Sequence, residues 1–108
     1  MAKLARRYDV YLPLTNNRGV RFPGQQYTAV EKRLLARFGG LTSQRRQFPF
    51  RGVWQEGTQV YSDQIIVLTA IDFHRGGSAR FIAALKAQLL EEFRQLEILI
   101  TETALRVH

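Results

Sequence analysis

The sequence predicts an α+β fold in which two helices cover one face of a four-stranded antiparallel sheet. Three observations predict it. Apolar residues alternate from Tyr8 to Leu14, apolar residues recur every fourth position after Thr28 and after Ser78, and Ile65-Ile66-Val67-Leu68-Thr69-Ala70-Ile71 is apolar on both faces. The last is the most demanding, because a half-exposed strand alternates apolar with polar, whereas this one needs cover on both sides.

The elements follow in order. Tyr8, Val10, Leu12 and Leu14 share one side of strand one, with Asp9, Tyr11 and Pro13 on the other. Thr15-Asn16-Asn17-Arg18-Gly19 reads as a turn that opens a long connection. Thr28 and Glu31 form a capping-box pattern, Val30, Leu34 and Phe38 make an apolar stripe, and Gly39-Gly40 ends it, so helix one is predicted over Thr28 to Phe38. Leu41 to Arg46 is extended, Gln47-Phe48-Pro49-Phe50 interrupts it, and Gly52-Val53-Trp54-Gln55 resumes before a turn at Gly57. That is an irregular strand two, kinked or bulged near Pro49, because proline has no N–H for a central ladder. Val60 to Phe73 is the third and longest strand. Ser78 is placed to cap helix two, Ala79 to Arg94, whose stripe is Phe81, Leu85, Leu89 and Phe93, with Ile82 and Leu96 beside it. Glu97 to Thr101 is a short fourth strand with an edge extension at Ala104 to Val107. The order βαββαβ is the ferredoxin-like arrangement, and right-handed crossovers put both helices on one face with strands one and three in the middle.

At 108 residues and 45% hydrophobic, the chain fits one domain, residues 1–108. Two helices cover one side of its sheet and little chain remains for the other. A homodimer through the sheet face is the expected solution, since covering roughly 400 Å² of apolar surface is worth about 10 kcal/mol before association costs. The competing arrangement lays the first loop or the segment Glu102 to His108 across that face. The absence of cysteine excludes disulfides, thiolate nucleophiles and cysteine metal sites. No apolar run is long enough to span a bilayer, and the expected location is cytoplasmic, with no membrane contact.

Three blocks, Phe38-Gly39-Gly40-Leu41-Thr42, Gly52-Val53-Trp54 and Phe93-Arg94-Gln95-Leu96-Glu97-Ile98-Leu99, follow the opening Tyr8-Asp9-Val10-Tyr11-Leu12-Pro13-Leu14. Together they resemble a group of small uncharacterised bacterial proteins with ferredoxin-like folds. The resemblance implies the fold and carries no reaction or catalytic residue across.

The charge is +7, from 16 Lys and Arg against 9 Asp and Glu, and most of the cations are arginine, which suits planar contacts with carboxylate or phosphate. A binding module for an anionic small molecule or acidic partner is therefore the leading expectation. Arg45 and Arg51, with Trp54 and Tyr61, are its candidate ligand-binding residues, as arginines beside aromatics grip anionic, ring-bearing ligands. The same residue types also populate protein interfaces. Nucleic-acid binding is the first alternative, drawn from the basic charge, but strand three lacks the exposed aromatics of an RNA-reading sheet. A small cofactor-poor enzyme of the dimeric α/β-barrel type is the second, with His74 near Asp72 or Glu97 as its catalytic candidate. Two distant histidines and scattered carboxylates show no metal-ligand spacing, so neither a metal nor another cofactor is expected.

Overall fold

The structure, a computed structural model, describes residues 2–44 and 46–108. Its elements are β1 (Lys3–Pro13), α1 (Gly24–Phe38), β2 (Thr42–Ser43), β3 (Phe50–Glu56), β4 (Gln59–Asp72), α2 (Ala79–Glu92) and β5 (Ile100–Val107). The antiparallel sheet runs β2-β4-β1-β5, with β3 also paired to β4. Strands β1 and β4 are central, as the crossover rule requires, and the α+β, ferredoxin-like arrangement follows.

Five strand segments stand where four strands were expected. Strand two is broken in the region of Pro49 into β2 and β3, and both halves lie against the same long β4. At the break the Gln44 side chain donates to the Phe48 carbonyl, closing the excursion locally. Strand β1 begins at Lys3 rather than Tyr8, because its partner β5 runs unbroken to Val107 and supplies a ladder for the early residues. Helix α1 begins at Gly24, a turn before the capping box. Thr28 Oγ1 donates back to the Gly24 carbonyl at 3.2 Å, and no side chain caps the helix start. Helix α1 ends as expected: Gly39 takes φ 78° and its N–H donates to Leu35 O at 2.8 Å. Helix α2 stops at Glu92.

The pleat of β4 decides what is inside. Ile66, Leu68, Ala70 and Asp72 point toward the helices and are buried, whereas Ile65, Val67, Thr69 and Ile71 on the other face stay partly open. Ile66 and Leu68 pack with Val10 and Leu12 of β1 and Leu14 just after it, with Tyr27, Val30 and Leu34 of α1 and with Leu85, Leu89 and Phe93 into one core. Tyr27 is fixed at both ends: its ring tilts against Phe93 at 5.5 Å and its hydroxyl donates to Pro13 O at 2.5 Å. Burial pushes that phenol up to about 12. Leu96, placed beside the helix-two stripe by periodicity, lies past the helix end and is fully exposed.

Beyond Ile65 the β3–β4 hairpin leaves the body. None of its residues from Val53 to Gln64 is buried, and the radius of gyration is 14.8 Å against about 13 Å for a compact chain of this length. Replacing Leu89, wholly enclosed at the centre of the core, with alanine is expected to cost about 2–5 kcal/mol in urea denaturation. Leu96→Ala, at a site that touches nothing, is expected to change stability by less than about 0.5 kcal/mol.

Candidate functional site

Helices and strands of similar residue count differ in length. At about 1.5 Å per helical residue against about 3.4 Å per strand residue, α2 cannot roof the whole of β1 and β5. The uncovered stretch is the start of β1 against the end of β5, where Leu4 pairs with Arg106 and Arg6 with Ala104. These four share the inner face with Tyr8. The segment from Phe73 to Gly76 forms a wall beside them, and the result is a concavity of ≈ 680 Å³.

Its chemistry is basic. Arg6, Arg75, Arg106 and His74 all line it and no carboxylate does. Glu102 sits just outside, with Oε2 3.9 Å from Arg6 Nε and Oε1 accepting from the Tyr8 hydroxyl at 2.5 Å. Burial and that carboxylate together raise the Tyr8 phenol above its ordinary value. Arg75 and Arg106 form no ion pair among the described residues. The loop before α2 turns through Gly76 and Gly77, both at φ 82°, and a Cβ on Gly77 would lie 3.0 Å from Arg6 Nη1. Glycine there supplies the left-handed backbone and lets the Arg6 side chain lie against the loop.

His74 is held from below. Asp72 ends β4 on the inner face with its side chain fully enclosed, and its Oδ1 lies 2.9 Å from the His74 backbone N and 2.6 Å from His74 Nδ1. Burial pushes the Asp72 carboxyl up, but the hydrogen bonds from the His74 amide and ring outweigh it, so the group titrates below the ordinary aspartate value. An ionised carboxylate only accepts, so Nδ1 carries the proton and Nε2 is the ring atom left for anything else. The ring also meets Phe38 of α1 edge-on at 6.4 Å. Behind this pair, Ser78 Oγ accepts from Arg37 Nε and Nη2 at 3.0 and 2.9 Å, tying α1 to the start of α2. Ser78 is thus spent on a helix-to-helix contact and not on the cap its position suggested.

The residues singled out around strand two are arranged differently. Trp54 and Tyr61 are directly paired across the hairpin and stack at 5.4 Å, with 46% and 41% of their surfaces exposed. Arg51 is of opposite parity to Trp54 and lies on the other side of the ribbon, beside Ser62, Asp63, Gln64 and Thr15. Arg45 lies outside the described residues. Glu97, the other acid considered for His74, is instead held by Lys86 Nζ at 2.7 Å, and that ammonium together with the Ile98 amide lowers its titration. Among the described residues, no three His, Asp or Glu side chains gather closely enough to hold a metal ion.

Sequence reasoning reached the His74–Asp72 pair but missed Arg6 and Arg106. The signal was parity: extending strand one back to Lys3 would have put Leu4 and Arg6 on the face of Tyr8. Because Asp72 is ionised and hydrogen-bonded in the fold, its contribution is complete above the unfolded-state value of about 3.9. It is lost as the pH falls through the lower folded-state value. Asp72→Asn is expected to cost about 1–3 kcal/mol at neutral pH. In urea denaturation from pH 7 downward, the gap to the unaltered protein is expected to close in acid.

No family model matches the chain, and no curated protein matches it. Solved structures do. A phage SAM lyase in complex with S-methyl-5'-thioadenosine superposes with a TM-score of 0.60 at 16% identity, over 95% of this chain and 88% of that one. A divalent cation tolerance protein (Cut A1) from Thermus thermophilus gives a TM-score of 0.60 at 10% identity, over 92% and 82% of the two chains. The chain is thus similar in fold to both, over nearly its whole length. No helix among the described residues is long and apolar enough to cross a membrane.

Proposed function

We propose that the protein is a homodimeric, non-catalytic binding module for a small anionic ligand, acting in the cytoplasm, and that the ligand sits in the concavity between the β1–β5 end and the loop before α2. The observation that carries this reading is the convergence of Arg6, Arg75, Arg106 and His74 on one concavity whose lining contains no acid. Arg75 and Arg106, which form no ion pair among the described residues, are free to be paired by a carboxylate or phosphate from outside. Leu4 and Ala104 give the same hollow an apolar patch for the body of such a ligand.

Assembly is supported by the outer face of the sheet. Tyr11 pairs with Val67, Phe50 with Ile65 and Trp54 with Tyr61, all on that side, so a strip of apolar side chains runs from the body onto the projecting hairpin, interrupted at the Gly52–Asp63 pair. Of the acids on this side, Asp9 is already paired: it accepts from Thr69 Oγ1 at 2.5 Å and from Arg7 Nε at 3.1 Å. A second copy that covers the body of this face leaves Asp9 paired, while Asp63, on the same side of the hairpin opposite Gly52, takes a rim position or a cation from the second copy. On this reading Trp54 and Tyr61 serve the contact between copies.

Each half has its own test. In native mass spectrometry the main species is expected at twice the 12.5 kDa chain mass. Val67→Lys, at the centre of the strip, is expected to shift it to a single folded chain by circular dichroism. A single chain at high concentration for the unaltered protein overturns the assembly. For the ligand, thermal unfolding is followed with citrate, inorganic phosphate, adenosine 5'-monophosphate and S-methyl-5'-thioadenosine. The anions are expected to raise Tm, and the double variant Arg75→Ala/Arg106→Ala is expected to abolish the rise. Stabilisation by the uncharged thioadenosine alone overturns the anionic reading.

A further inference from the structure

Asp72 determines which nitrogen of His74 meets a ligand. Its carboxylate is enclosed at the base of the loop and takes the proton-bearing Nδ1 at 2.6 Å, so Nε2 is the ring nitrogen left unengaged on a residue that lines the concavity. The same hollow is lined by Arg6 from β1, Arg106 from β5 and Arg75 from the loop of His74, and the Phe38 ring of α1 meets the imidazole edge-on at 6.4 Å. Of these three arginines, Glu102 of β5 reaches only Arg6, at 3.9 Å. The site therefore combines three permanent cations with one ring atom that accepts a hydrogen bond when neutral and donates one when protonated.

We propose that the ligand class of this concavity is the phosphomonoester and that His74 Nε2 shares one proton with a phosphoryl oxygen. This rests on the anion-binding reading above. A phosphomonoester is the anion that matches the lining in both protonation states. As a monoanion its P–OH donates to the neutral Nε2; with the proton moved from that oxygen to nitrogen, the dianion accepts from the imidazolium. One O–H bond breaks, one N–H bond forms, and the total charge of ligand and ring is unchanged. A phosphodiester brings a single charge and no proton of its own, so its oxygen meets a donor on Nε2 only after the ring takes up a proton from solvent. The enclosed Asp72 supports the protonated ring by lying against its far nitrogen, and the guanidinium groups hold the remaining phosphoryl oxygens in either state.

The probes are phenyl phosphate and its methyl ester, methyl phenyl phosphate, titrated calorimetrically at pH 7 into the full chain. The unaltered protein is expected to bind the monoester about tenfold or more tightly than the diester, the ratio supplied by one charge-assisted hydrogen bond. His74→Asn keeps an amide N–H for Asp72 but lacks Nε2; it is expected to bring the two affinities within about threefold while the diester affinity stays put. Arg106→Ala is expected to weaken both ligands and leave their ratio intact. Equal affinities in the unaltered protein, or a ratio that survives His74→Asn, overturns the phosphomonoester assignment and leaves the anion site standing. Binding of neither probe overturns the anion site and this assignment with it.

Discussion

The structure depends on one strand that is apolar on both sides. Strand β4 pairs with β1, β2 and β3, so most of the sheet is built on it. Its inner residues Ile66, Leu68 and Ala70 are shut against the helices, and this burial is what makes the domain cohere. Its outer residues Ile65, Val67 and Ile71 are left over by the same alternation, and no change of register could hide both sets at once. A small α+β domain with two helices can roof only one face of its sheet.

A mismatch of lengths creates the site. Strands advance more than twice as far per residue as helices, so the sheet outruns its helices at both ends. At one end the excess is the β3–β4 hairpin, which carries Trp54 and Tyr61 away from the body as an exposed stacked pair. At the other it is the inner face of Leu4, Arg6, Ala104 and Arg106, and the loop after β4 folds back beside it to form a hollow. Asp72 stands at the junction. It is the last residue of β4, its parity turns it inward, and its buried charge is tolerated because His74 returns a hydrogen bond from both its backbone and its ring. The same arrangement that keeps the strand end from being an unpaired buried charge therefore orients the histidine.

Much of the fold was legible from residue types alone. The helix stripes, the Gly39 stop, the central position of the first and third strands and the interruption near Pro49 each rest on local chemistry, and each stands in the structure. The capping signals were less faithful. Thr28 and Ser78 have the right chemistry for helix caps, yet Thr28 donates within the helix and Ser78 is claimed by Arg37 from the neighbouring helix. At Ser78 a local hydrogen-bond preference of about 1 kcal/mol yields because a tertiary partner offers as much.

The sequence by itself determined the alternation of β4, the order of elements that follows from it, and the surplus of arginine that points to an anion. Tertiary structure alone decided where those arginines meet. Arg6 and Arg106 are remote in sequence and become neighbours through the β1–β5 register, in which Leu4 faces Arg106 and Arg6 faces Ala104. Arg51 and Trp54, close in the chain, are sent to opposite sides of a hairpin by the pleat. Local chemistry sets which face of an element is apolar, but which side chains share a hollow depends on strand register and on where a helix runs out, and neither is encoded within a single segment.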